Sequence, residues 1–118
     1  MSKILLAWIL VIAAGINSTI GNIFLKKSRD QDPQSFFESL LNLWFFGGLV
    51  FYAINVLLFV KALEYLPVSL AYPVLAGIGF LFLTVSANLI LDEVLNLYQY
   101  IGIFFIISGI FILAYSTN

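Results

Sequence analysis

The sequence predicts an all-α membrane protein with four transmembrane helices, and three observations carry that prediction. Hydrophobic residues make up 63% of the 118 and charged residues only 9%, against about 25% charged in soluble domains. The apolar residues fall into four runs, at about 4–25, 36–62, 67–91 and 97–115, each near or above the ~20 residues that cross a bilayer at 1.5 Å rise per residue. The charges fall between these runs or near their ends, at Lys3, at Lys26, Lys27, Arg29, Asp30, Asp32 and Glu38, at Lys61 and Glu64, and at Asp92 and Glu93. A chain of this length makes one four-helix transmembrane domain over residues 1–118.

The same composition narrows function. There is no Cys, hence no disulfide, thiol chemistry or Cys-based metal site. There is no His, the side chain best suited to proton relay near neutral pH. The net charge is −1, so no basic surface suggests nucleic acid. A hydrolytic or metal-dependent enzyme is not expected, and no cofactor or metal is implied.

The first run follows Lys3 as a signal peptide would, and Ala13-Ala14-Gly15 resembles a cleavage site. Apolar and small residues continue to Leu25, too long for a 7–15-residue signal core, so an uncleaved helix is expected. Its second half is polar for a membrane helix, with Asn17, Ser18, Thr19 and Asn22. Ala14, Ser18, Asn22 and Lys26 are spaced by four and share one face. Such residues either pack helices together or line a polar substrate path that ends at Lys26.

Ser35-Phe36-Phe37-Glu38 fits a capping box and predicts a second helix from about Phe36 to Ala62. Phe36, Phe37 and Trp44 suit the headgroup zone. Asn55 is the one deep polar residue of that span. Lys61 can pair with Glu64 three residues on. Pro67 suits the start of the third span. That span, residues 66–88, holds no ionisable side chain except tyrosine, but holds Pro73, Gly77 and Gly79. Pro73 cannot donate to the Ser69 carbonyl. The stretch is either a kinked packing helix or a hinge along a substrate path, with Tyr72, Ser69 and Ser86 as that path's polar groups. Asn96 and Gln99 form a cap for the fourth span. There Gly102 and Gly109, seven apart, share a face with Ser108 and permit close approach of another helix, in this chain or in a second one.

Four spans place both termini on one side, with Lys3 and Lys61. The other side carries Lys26, Lys27 and Arg29. Two basic residues against three barely set an orientation. A dimer of inverted, antiparallel copies suits so weak a bias.

Three stretches together point to a family. They are Gly21-Asn22-Ile23-Phe24-Leu25-Lys26-Lys27-Ser28, then Leu66-Pro67-Val68-Ser69-Leu70-Ala71-Tyr72-Pro73 with Ala76-Gly77-Ile78-Gly79, then the run from Gly102 to Gly109. In order and spacing they resemble the small multidrug resistance proteins of the drug/metabolite transporter superfamily. The resemblance implies a substrate chamber lined by the first three helices, with Tyr72 facing it. It also implies a dimer joined by the fourth helix through Gly102 and Gly109. The drug exporters of that family carry a membrane glutamate where this chain has Ser18, and a chamber tryptophan where it has Leu75. A serine does not titrate usefully, and without the indole the aromatic face for a cation is missing.

A second branch resembles the chain more closely: the EamA-like paired flippase subunits for aminoarabinose-linked undecaprenyl phosphate, which also lack the glutamate. By that resemblance the substrate is a lipid-linked or polyprenyl-phosphate-linked polar headgroup crossing the bacterial inner membrane. The expected contacts are Asn17, Ser18, Asn22, Tyr72 and Ser69, with Lys26, Lys27 or Arg29 meeting a phosphate near the surface. The expected assembly is a homodimer, or a heterodimer with a small four-helix paralogue. The alternatives are an exporter of drugs or small metabolites, and a non-transporting assembly partner.

Overall fold

A computed structural model describes residues 2–29 and 41–115. Among these, four helices follow in order: α1 (Lys3–Arg29), α2 (Leu43–Ala62), α3 (Val68–Ile90) and α4 (Leu97–Tyr115). The first three are long and apolar enough to cross a membrane. The 19 residues of α4 reach about 28 Å at 1.5 Å each, close to the ~30 Å of hydrocarbon in a bilayer.

Local chemistry sets the helix ends. The second helix is expected from Phe36, and the box of residues 35–38 lies outside the described residues. The described helix starts at Leu43, because Asn42 is extended (φ −108°, ψ 161°) and its side chain caps the first turn by accepting from the Phe45 N–H at 2.9 Å. The Asn42 amide also donates to the Ser28 carbonyl at 3.3 Å, satisfying one of the carbonyls a helix C-terminus leaves unpaired. Lys61 and Glu64 pair at 2.9 Å at the other end of α2. Pro67 stands just ahead of α3, as its N-cap residue, and accepts from the amides of Leu70 and Ala71. Helix α3 runs on through Pro73. Asn96 and Gln99 cap α4 reciprocally, at 2.7 and 2.9 Å. The turn before it passes through Asp92 at φ 56°, a left-handed conformation that aspartate tolerates better than most residues.

Helix α1 is the central element and packs along both α2 and α3, while α4 packs on α3. Lipid gives little hydrophobic reason for apolar helices to associate, so close packing of small residues takes over. The buried positions reflect this: Ala7, Val11, Ala14, Gly15, Thr19 and Gly21 on α1, Ala71, Val74 and Gly77 on α3. A Cβ on Gly15 would lie 2.7 Å from Ile78 Cγ2, so the α1–α3 crossing depends on the missing side chain there. A Cβ on Gly48 of α2 would lie 3.1 Å from the Gly21 carbonyl oxygen and 2.8 Å from Leu25 Cδ2, which marks the α1–α2 crossing. Large apolar side chains point outward, among them Leu57, Phe104, Phe105 and Phe111, as a lipid-facing surface requires.

Candidate functional site

A cavity of about 330 Å³ opens among α1, α2 and α3. Its polar wall is built by helical spacing. Ser18 and Asn22 stand four apart on α1, Tyr52 and Asn55 three apart on α2, and Tyr72 joins them from α3; residues at these spacings share a helix face. Leu75, Ala76, Gly79, Phe80 and Leu83 complete the lining. Gly79 keeps the wall thin beside Ser18: a Cβ there would lie 3.9 Å from Ser18 Oγ.

The polar groups form a chain. The Tyr52 hydroxyl donates to Asn22 Oδ1 at 2.8 Å. The Asn22 amide donates to the Ser18 carbonyl at 3.0 Å and lies 3.4 Å from the Ser18 hydroxyl. Asn55 Oδ1 is sealed from solvent and has no hydrogen-bond partner among the described residues. None of the lining residues carries a carboxylate, an ammonium or a guanidinium. The wall therefore offers neutral donors and acceptors, and a bare ion inside it would lack the counter-charge that offsets desolvation.

Of the residues expected to meet a substrate, the structure brings together Ser18, Asn22 and Tyr72. It places the other three elsewhere. Asn17 turns to α2 and donates to the Phe51 carbonyl at 2.8 Å, beside a separate groove with Ile16, Ile20 and Ile54. Ser69 is exposed near the start of α3 and is not among the cavity's lining residues. Lys26 is exposed one turn beyond Asn22, about 6 Å further along the axis at 1.5 Å per residue. Next to it Lys27 Nζ lies 4.8 Å from the centre of the Trp44 ring, and Trp44 meets Phe24 edge-on at 5.1 Å, a cation–π arrangement suited to an interface. Gly102 and Gly109 face open space, with nothing within 4 Å of a Cβ on either, and the Ser108 hydroxyl turns back to the Phe104 carbonyl at 2.9 Å.

Sequence reasoning did not place Tyr52 in the site. Its signal was present: a hydroxyl three residues before Asn55, on the same face of α2. Thr19, on the polar half of α1, packs instead, bonding Gly15 O at 3.1 Å and reaching Gly79 O at 3.4 Å.

Comparison with known proteins agrees with this architecture. The family described as Small Multidrug Resistance protein matches residues 6–106. An uncharacterized protein of Sinorhizobium fredii, y4nH, is 49% identical over 108 residues, covering 90% of this chain and 92% of its own. A probable 4-amino-4-deoxy-L-arabinose-phosphoundecaprenol flippase subunit, ArnE, of Escherichia fergusonii is 29% identical over 106 residues, covering 90% and 95%. Its counterpart in Erwinia tasmaniensis is 28% identical over 109 residues, covering 92% and 97%. The chain belongs to the small multidrug resistance family and is a multi-pass membrane transporter.

Proposed function

We propose that the protein carries a polyprenyl-phosphate-linked polar headgroup across the bacterial inner membrane. The observation that carries this reading is the uncharged, hydrogen-bonding cavity of Ser18, Asn22, Tyr52, Asn55 and Tyr72, with a cluster of basic residues beyond Asn22 at the end of α1. A neutral headgroup enters the cavity and exchanges water for these side chains. The phosphate stays at the level of Lys26, where a cation on the membrane surface attracts it. The lipid tail remains in the bilayer, so no sealed aqueous chamber is required. The flippase-subunit relatives are named for a 4-amino sugar on phosphoundecaprenol, which supports a polyprenyl-phosphate carrier here; the support does not extend to the amino group, which no lining carboxylate would meet.

The working unit is a dimer, of two copies or of this chain with a small four-helix paralogue. The open face of α4 at Gly102 and Gly109 supports an α4–α4 contact, since small residues let membrane helices approach closely.

Reconstitution into proteoliposomes with a polyprenyl phosphate radiolabelled in its sugar tests the proposal. The sugar should reach the opposite leaflet faster than in protein-free vesicles, with the chain alone or together with its paralogue. Folded protein that gives no acceleration in either arrangement refutes it. Tetraphenylphosphonium addresses the competing reading, export of cationic drugs. Binding should be weak and insensitive to mild acid, since no lining residue is a carboxylate. Tight binding that competes with protons would return the chain to the drug exporters.

A further inference from the structure

Three asparagines lie on the membrane-spanning parts of α1 and α2, and two are satisfied. Asn17 bonds the Phe51 carbonyl and Asn22 bonds Ser18 and Tyr52. Asn55, near the middle of the 20-residue α2, leaves its Oδ1 buried and unpaired among the described residues. An unmet buried acceptor costs stability, and at membrane depth no bulk water relieves it. Unpaired polar groups of this kind persist where a ligand or an ordered water completes them. Asn55 also lines the same cavity as Tyr52 and Asn22, so a headgroup held there lies against its amide.

We infer that Asn55 selects an uncharged, hydroxyl-bearing headgroup by hydrogen-bonding one particular hydroxyl in the cavity. The inference rests on the transport reading above and deepens it. An amide presents an acceptor on one edge and donors on the other. A hydroxyl both donates and accepts, so it satisfies either edge. An anion would find no ammonium or guanidinium, and an ammonium no carboxylate, among the lining residues to offset its desolvation. The cavity's 330 Å³ is well above the ~30 Å³ that one water occupies in the liquid, and it suits a small sugar better than a single bridging solvent molecule.

The test uses proteoliposomes and C10 isoprenyl-phosphate glucose, its monodeoxy analogues and the matching 4-amino sugar. Wild-type protein should move at least one monodeoxy analogue tenfold or more slowly than the parent. In Asn55→Leu the parent should slow to a similar rate, and the parent and that analogue should become equal within twofold. That loss of discrimination is the coupling expected of two groups in contact. The melting temperature of Asn55→Leu should be unchanged or higher, because an unpaired polar group has been removed. Asn55→Ser, smaller and still polar, supplies a second variant and should fall between the two in discrimination.

Undiminished transport of the parent by Asn55→Leu overturns the inference and leaves Asn55 holding a buried water only. Retained discrimination in that variant overturns it as well. A melting temperature lowered in both variants also overturns it, since Asn55 would then be a structural bonding residue. An amino sugar that wild type prefers, through Asn55, overturns the choice of a hydroxyl. Wild-type protein that moves none of these lipids, alone or with its paralogue, refutes the transport reading itself, and the inference with it.

Discussion

Two alanine substitutions on facing helices separate packing from substrate contact. Gly15 on α1 and Gly79 on α3 lie at the same crossing. A Cβ on Gly15 would sit 2.7 Å from Ile78 Cγ2 and 3.2 Å from Ile78 Cβ. Ile78 is β-branched and rotationally stiff within a helix, so it cannot turn away and the helices must part. Overpacking of this kind costs about 1–3 kcal/mol. A Cβ on Gly79 would meet nothing closer than the Gly15 carbonyl oxygen at 3.8 Å and Ser18 Oγ at 3.9 Å, which is ordinary contact. Both changes gain about 1 kcal/mol of helix propensity, so that term cancels between them. Gly15→Ala should therefore be less stable than Gly79→Ala by about 1–3 kcal/mol, the overpacking cost alone. Transport should follow the reverse order once corrected for folded protein, because the Gly79→Ala methyl intrudes beside Ser18. Equilibrium unfolding of the solubilised protein in an SDS titration measures the first quantity, and lipid movement in vesicles the second. Equal stability of the two variants, or a more stable Gly15→Ala, refutes the crossing geometry.

Three further outcomes are expected. Ser18→Val and Asn22→Leu should impair lipid movement while the assembly stays folded, and Tyr52→Phe should lower stability by only about 0.6 kcal/mol, the average worth of a hydrogen bond between membrane helices; lost stability with normal movement per folded protein would make this face a packing surface. Lys26→Ala should weaken transport of a phosphate-bearing lipid, with an effect that shrinks at high salt because exposed charges are screened over about 10 Å at 0.1 M; a salt-independent effect, or none, removes Lys26 from phosphate recognition. Gly102→Leu and Gly109→Leu should reduce association measured by crosslinking or sizing, since each fills an open face of α4, and an unchanged dimer in the double variant excludes that face as the interface.

Sequence alone determined what depends on neighbours along the chain. The bilayer class follows from 63% hydrophobic and 9% charged residues. The shared face of Ser18, Asn22 and Lys26 follows from 3.6 residues per turn, and the Asn96–Gln99 cap and the Lys61–Glu64 pair from spacings of three. What the chain could not reveal is which faces meet, because helical periodicity orders side chains around one axis and says nothing of the rotation of the next. Tertiary structure decided that through the close crossings at Gly15 and at Gly21 with Gly48. Those contacts turn Asn17 toward the Phe51 carbonyl and bring Tyr52 to Asn22. They also place Asn55 on the cavity with its oxygen unpaired. Asn17 and Ser18 are adjacent in sequence yet about 100° apart around the helix, and the packing of α1 between two neighbours gives one to a helix contact and the other to the cavity.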